Sequence, residues 1–184
     1  MTDTRIIKII EIATAIINNI KVIEHNNQYT FVLPNDADIV NFLMEMKTNS
    51  ETSFDTLTDI TAIDWLNSGN NEVSTRFEIV YFLYSNKYKT RIRIKKPIGD
   101  DEHCTTVCNV YASANWYERE TYDMYGIIFD GHPDLRRFYM PEDFFDKNTG
   151  QNFYPLRKDF PVMGYPDALP LPPYPEKTGV EGEW

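Results

Sequence analysis

Acid, base and imidazole side chains crowd into residues 115–140, which read NWYERETYDMYGIIFDGHPDLRRFYM. Glu118, Glu120 and Asp123 are the types that serve as general acid and base or as Mg²⁺ ligands. On a helix, however, Glu118 and Glu120 point about 200° apart, so they do not flank one substrate. The expected arrangement is a charged helix with one buried carboxylate. His132, followed by Pro133 and Asp134 and then by Arg136 and Arg137, could act as a base or metal ligand. No Ser or Cys nucleophile pattern adjoins it, and the expected role is a histidine hydrogen-bonded within its turn. A third group is Pro155, Leu156, Arg157, Lys158, Asp159, Phe160 and Pro161, basic residues framed by prolines, which suits docking better than catalysis.

Cys104 and Cys108, spaced four apart beside His103, could face one way on a helix. A zinc site needs three or four ligands, and no second cluster completes one, so reduced thiols are expected. The sequence lacks GxGxxG, P-loop, paired CxxC and HExxH patterns, so nucleotide, flavin and iron–sulfur binding have no warrant. No residue is assigned as catalytic, cofactor-binding or metal-ligating. The residues alone describe a binding or assembly subunit.

Composition agrees with that class. The chain has 184 residues, enough for one domain plus an extension, and 42% of them are apolar. The net charge of −10 argues against a nucleic-acid partner, because phosphate neutralisation needs surplus Lys and Arg. No stretch approaches the roughly 20 apolar residues of a membrane span. The Ile-rich start is interrupted by Lys8, Glu11, Asn18 and Asn19, and reads as a structural helix rather than a targeting sequence. Ile (18) and Asn (15) outnumber Ala (7) and Gly (8), a bias towards AT-rich codons that hints at an organelle or an AT-rich microbe.

The elements that must position these groups follow from periodicity. Ile6, Ile9, Ile10, Ala13, Ile16, Ile17 and Ile20 predict a helix over 4–20. Residues 22–24 and 29–33 flank His25, Asn26, Asn27 and Gln28 as a hairpin closed by Pro34. Asn35 or Asp36 then caps a second helix through Met46. Strands are predicted over 54–65, 76–84 and 89–95, with a polar turn at 67–72. The run at 76–84 suits a central strand, and 89–95 alternates as a half-exposed strand with a basic outer face, solvated or protecting an edge. After a loop at 97–102, Thr105 or Thr106 caps the charged helix, and Gly126 ends it in the left-handed conformation. On its wheel Glu118 falls among Tyr111, Ala114, Tyr122 and Tyr125, whereas Glu120 and Asp123 project away, and Arg119 and Asp123 form an i,i+4 pair.

The predicted class is α+β: a largely antiparallel sheet with helices on one face, followed by a long irregular C-terminal extension. The division falls at 1–125 and 126–184. Nine of the eleven prolines lie between Pro133 and Pro175, interleaved with aromatics, so the extension is too proline-rich for regular structure and too aromatic for a free tail. It is expected to wrap a partner or its own domain, and its length favours the partner. Glu118, in an apolar sector, requires a cationic partner, and Arg136, Arg137 and Arg157 are the candidates, so the charged helix would fix the direction in which the tail leaves.

Several spaced blocks carry a family resemblance. Glu118-Arg119-Glu120, Asp123-Met124-Tyr125-Gly126-Ile127, Phe129, His132-Pro133-Asp134-Leu135-Arg136-Arg137 and the 155–161 block resemble the signature of the thirty-kilodalton subunit family of respiratory complex I. That family is the C-type subunit of NADH:ubiquinone oxidoreductase, often encoded in mitochondrial genomes. The strand around 57–64 is also similar. Phe138, where the family more often has an aliphatic residue, and the 147–153 segment depart from the pattern.

The resemblance implies a non-redox core subunit of the peripheral arm of a proton-pumping enzyme, supporting the quinone-binding module. It implies contact with the large forty-nine-kilodalton-type subunit, with FMN, iron–sulfur clusters, NADH and ubiquinone all held elsewhere in the complex. Association with the mitochondrial inner membrane on its matrix side, or with the cytoplasmic face of a bacterial membrane, would then come only through the complex. The alternatives are the corresponding subunit of a hydrogenase-type or other complex I-like assembly, and a stand-alone hydrolase using His132.

Overall fold

Asn26 and Asn27 both adopt positive φ (51° and 58°), the conformation that lets a two-residue turn join twisted strands. They link β1 (Lys21–His25) to β2 (Gln28–Val32) in an antiparallel hairpin. The computed structural model describes residues 4–66, 75–146 and 149–161. The predicted turn at 67–72 and the extension past Pro161 lie outside these residues. Before the hairpin runs α1 (Thr4–Ile16), and after it α2 (Ile39–Thr48). Three long strands follow as a meander: β3 (Thr56–Asp64), β4 (Phe77–Ser85) and β5 (Thr90–Ile98).

The five strands form one sheet in the order β1-β2-β5-β4-β3, antiparallel except where β2 runs parallel to β5. The α+β class with a mostly antiparallel sheet therefore holds. The basic strand is the central one, so its outward cations do not protect an edge. On the inner face, Ile6, Ile9 and Ala13 of α1 and Ile39, Phe42, Leu43 and Met46 of α2 join Phe31, Ile60, Ile79, Tyr81, Ile92 and Ile94 in the core.

Local boundaries differ from expectation for physical reasons. Helix α1 stops at Ile16, and Asn19 turns the chain at φ 64° into β1. Asp38, not Asn35 or Asp36, caps α2 by accepting from the Asn41 amide at 3.1 Å. The carbonyls of Asn35 and Ala37 instead accept from Lys96 Nζ at 3.0 and 2.9 Å, which stabilises that lysine on the buried face. Strand β5 continues through Pro97, predicted as loop. There β2 has already ended opposite Lys95 and β4 alone flanks the strand, so a missing amide is tolerated.

The charged helix α3 (Ala114–Tyr125) begins nine residues later than Thr105, the earlier of the two expected caps. Cys104 and Thr105 form a short strand, β6, parallel to β7 (Phe129–Asp130), and a turn at Val107–Val110 leads into the helix. Ser113 precedes α3 without a side-chain capping bond; its hydroxyl donates to Leu57 O at 3.2 Å, and Thr121 donates to Ile60 O at 3.1 Å. Among the described residues strand β3 has β4 as its only ladder partner, so α3 covers the sheet edge that would otherwise offer free carbonyls.

Candidate interaction site at the helix and tail junction

Glu118 is fully buried, as its place on the wheel requires. Its partners are not arginines. Oε2 accepts from Thr106 Oγ1 at 2.5 Å, Oε1 from the Val107 amide at 2.7 Å, and Cys108 Sγ donates at 3.6 Å. Because residues 104–110 do not continue the helix, they are free to turn hydroxyl, amide and thiol donors towards the carboxylate. That corrects the expected pairing with Arg136, Arg137 or Arg157. Burial pushes the Glu118 carboxyl above its usual range, although the Thr106 and Val107 bonds and nearby His132 oppose the shift.

Asp123, expected to project away, is instead completely buried. Its Oδ2 accepts from three consecutive amides, those of Phe138 (3.2 Å), Tyr139 (2.8 Å) and Met140 (2.9 Å). Its other oxygen lies 3.3 Å from Arg137 Nη1, close enough for an ion pair but outside hydrogen-bond geometry. The expected Arg119–Asp123 pair is absent for this reason. Arg119, only 5% exposed, donates from Nε to Arg136 O at 3.1 Å. Its guanidinium lies over the rings of Trp116 (5.0 Å) and Phe138 (5.1 Å). Glu120 is half-buried, and burial, then Asp59, push its carboxyl up.

Gly126 ends α3 at φ 77°, its amide donating to Tyr122 O at 2.8 Å. A Cβ there would stand 2.5 Å from the Tyr154 ring and 2.8 Å from Arg157 Nη2, so the glycine also gives the tail room to cross.

The 155–161 block closes a second network at the end of the sheet. Arg157 donates from Nε to Tyr125 O at 2.5 Å and lies 3.2 Å from Asp100, with its guanidinium over Tyr154. The Lys158 amide donates to Asp64 Oδ2 at 2.9 Å, and Asp159 pairs with Arg76 at 2.8 Å. Arg76 also reaches Asp100 at 2.5 Å and Asp64 at 3.3 Å. Burial alone would raise Asp64, but the Lys158 and Leu66 amides together with Arg76 outweigh it and hold the carboxyl low. Arg76 stands out in the sequence only as the start of a strand; its role depends on partners 12, 24 and 83 positions away, which no local pattern signals.

His132 braces its turn. Nδ1 accepts from the Asp134 amide at 3.0 Å, which places the ring proton on Nε2, facing Asn115 O at 3.0 Å. The structure thus brings together three groups the sequence kept apart, since atoms of Cys108, Glu118 and His132 lie within 4.8 Å of one another. They do not suit a metal ion. A coordinating Nε2 would need its proton moved to Nδ1, where the Asp134 amide already points. Nor do they suit a thiol nucleophile, because burial, and after it Glu118, push the Cys108 thiol up rather than down. As built, the cluster is hydrogen-bonded support for the α3 entrance. Cys104 is buried elsewhere, 3.5 Å from Tyr81 OH.

Around this junction large apolar side chains stay exposed: Trp116 (59%), Tyr139 (56%) and Leu156 (51%). Trp116 and Phe138 meet edge to face at 5.5 Å, and Tyr139 stacks on Phe138 at 4.1 Å. None of the described helices is long and apolar enough to cross a membrane.

Known proteins share this chain's pattern. Residues 32–166 match the model of the family described as respiratory-chain NADH dehydrogenase, 30 Kd subunit. The second of the NADH-quinone oxidoreductase C subunits of Rhizobium meliloti (strain 1021) is 46% identical over 141 residues, covering 77% of this chain and 70% of that protein. The corresponding C subunit of Dinoroseobacter shibae is 40% identical over 146 residues, 79% of this chain and 61% of the relative. That of Geotalea uraniireducens is 44% identical over 141 residues, 76% of each. These relatives are bacterial and give no support to a mitochondrial origin. Among solved structures, a chain of the membrane-bound sulfane sulfur reductase, an archaeal respiratory membrane complex, superposes with a TM-score of 0.62 at 28% identity, covering 85% of both chains.

Proposed function

Because the chain belongs to the family of the 30 Kd subunit of respiratory-chain NADH dehydrogenase, we propose that it is a non-redox scaffold in the peripheral arm of a proton-translocating NADH:quinone oxidoreductase. In this reading it supports the quinone-binding module while electrons pass from NADH to ubiquinone through FMN and iron–sulfur clusters held by other subunits. The observation that carries the proposal is the exposure of Trp116 and Tyr139, linked through Phe138, and of Leu156 where the tail crosses the end of α3, on a junction whose backbone is fixed from beneath by Asp123, Arg119 and Gly126. Exposed Trp and Tyr backed by a stacked Arg on a rigid support have the composition of a binding hot spot. Its occupant is proposed to be the large forty-nine-kilodalton-type subunit, with the family-signature residues serving assembly rather than chemistry. The chain would meet the membrane only through the complex, facing the bacterial cytoplasm or, if the gene is organellar, the mitochondrial matrix.

The test is native-gel migration of tagged chain with solubilised membranes, comparing wild type with the W116A/Y139A/L156A variant. Wild type should co-migrate with a large partner and the variant should not; equal assembly of both would overturn the patch. The purified chain should show no flavin or iron–sulfur absorption, and stoichiometric bands would refute the scaffold role. The likeness to the sulfane sulfur reductase chain favours a second reading, a scaffold in another complex I-like assembly. NADH oxidation that depends on the assembled chain separates the two.

A further inference from the structure

Tyr84 and Arg91 lie opposite each other at the end of the strands remote from Arg76 and Asp64. There a cleft of about 920 Å³ is bordered by residues at the start of α1, in the β1–β2 turn and on β3, β4 and β5. Its walls carry Arg5, Lys89, Arg91 and Arg93 with the rings of Phe82 and Tyr84, and no Asp or Glu among the described residues. In a chain of net charge −10 such a segregation of cations is a departure from the mean.

Two features give the cleft a direction. Arg91 and Arg93 stand two apart on β5 and so share the outer face, about 7 Å apart along the strand. The Arg91 guanidinium lies 5.5 Å above Tyr84, its cross-strand neighbour, which orients its plane while leaving its N–H edge available. The next cation on this face, Lys95, is already neutralised by Glu78 at 2.9 Å. Neither Arg91 nor Arg93 has an ion pair among the described residues. The carboxylate in the same cross-sheet row as Arg93 is Asp59, beyond Phe82 and two strands away, about 9 Å and outside ion-pair reach.

The cleft is too large for a single carboxylate or phosphate and matches the size of a short chain segment. The arginine spacing equals the repeat of alternate side chains in an extended peptide. We propose that this cleft docks an acidic, extended segment of a neighbouring protein, with acids at alternate positions meeting Arg91 and Arg93. The choice of a neighbouring subunit as the source rests on the assembly reading above. Peptide binding by the isolated full-length chain is a separate measurement from co-migration with a large partner, so each can fail without the other.

The experiment is fluorescence anisotropy of the full-length chain with two labelled peptides of identical composition, one alternating Glu with Ser, the other carrying its Glu residues in one block. The alternating peptide should bind more tightly, weaken as salt rises, and lose about tenfold in affinity with R91Q/R93Q, while R91K/R93K retains most of it. Should the double glutamine variant fold poorly by circular dichroism, K89Q in the exposed turn provides the same reading with a smaller loss. Equal affinity for both peptides, or no loss in the glutamine variants, overturns the proposal. So does full displacement by inorganic phosphate at concentrations where chloride has no effect, which would mark a simple anion site. Binding to phosphatidylglycerol vesicles without peptide binding would reassign the cleft to a membrane surface and likewise overturn it.

Discussion

Three consecutive amides aim at one carboxylate oxygen of Asp123, and its second oxygen faces Arg137. The arginine is itself secured, donating to Phe153 O at 2.9 Å and lying over Tyr154. Removing the charge of Asp123 therefore leaves a nearly buried guanidinium without its counter-ion while the rest of its environment stays in place. D123N should cost roughly 3 kcal/mol in chemical denaturation. D123N/R137M should recover much of that loss, because the double change removes the orphaned charge. Additive losses would show that Asp123 acts through the amides alone. Glu118 illustrates the opposite solution, a buried carboxylate satisfied by hydroxyl, amide and thiol donors. A buried acid needs donors, and an arginine is only one source of them.

At the scale of elements, Gly126 joins α3 to the returning tail and serves two ends with one residue. Its φ of 77° excludes most side chains, and the Tyr154 ring occupies the space a Cβ would take. G126A should destabilise the chain by about 2 kcal/mol or more, combining left-handed strain with the overlap. Trypsin cleavage after Arg157 and Lys158 should accelerate, since Leu156 N–H bonds Met124 O and Arg157 bonds Tyr125 O directly beside the glycine. Unchanged cleavage would mean that the tail is held by the Arg76 network alone.

This glycine was legible in the sequence, as were the hairpin and the meander strands, because turn chemistry and side-chain period are local. The start of α3 was not. Val107, Val110 and Tyr111 fall at helical spacing, yet they enter the core from the turn that follows a short strand. The parallel β2–β5 pairing also left no local trace, so the basic strand's central position was hidden. Asp123 was misplaced because its partners are backbone amides 15 to 17 residues onward, groups every sequence possesses.

For the molecule as a whole, the two buried acids with opposite shifts predict a stability profile with two flanks. The Asp64 carboxyl is held below its ordinary value of 3.8, so the unfolded chain binds its proton more tightly. Its contribution is present above that value and is lost as pH falls through the lowered one. Glu118 lies above its ordinary value of 4.5, so the native chain binds the proton more tightly. Its contribution is full below 4.5 and declines as pH rises towards the raised value. Glu120 adds to the same decline from a less buried position. The other acids shape every profile in common, so the informative quantity is a difference between variants. E118Q retains the length and an acceptor oxygen for the Val107 amide, and the Thr106 hydroxyl can rotate to accept from the new amide. Thermal midpoints measured from about pH 3 to pH 7 should therefore show E118Q keeping the acid flank set by Asp64 while losing part of the decline above 4.5. Parallel profiles for wild type and E118Q would mean that the donors around Glu118 fully offset its burial, and that the upper flank belongs to Glu120.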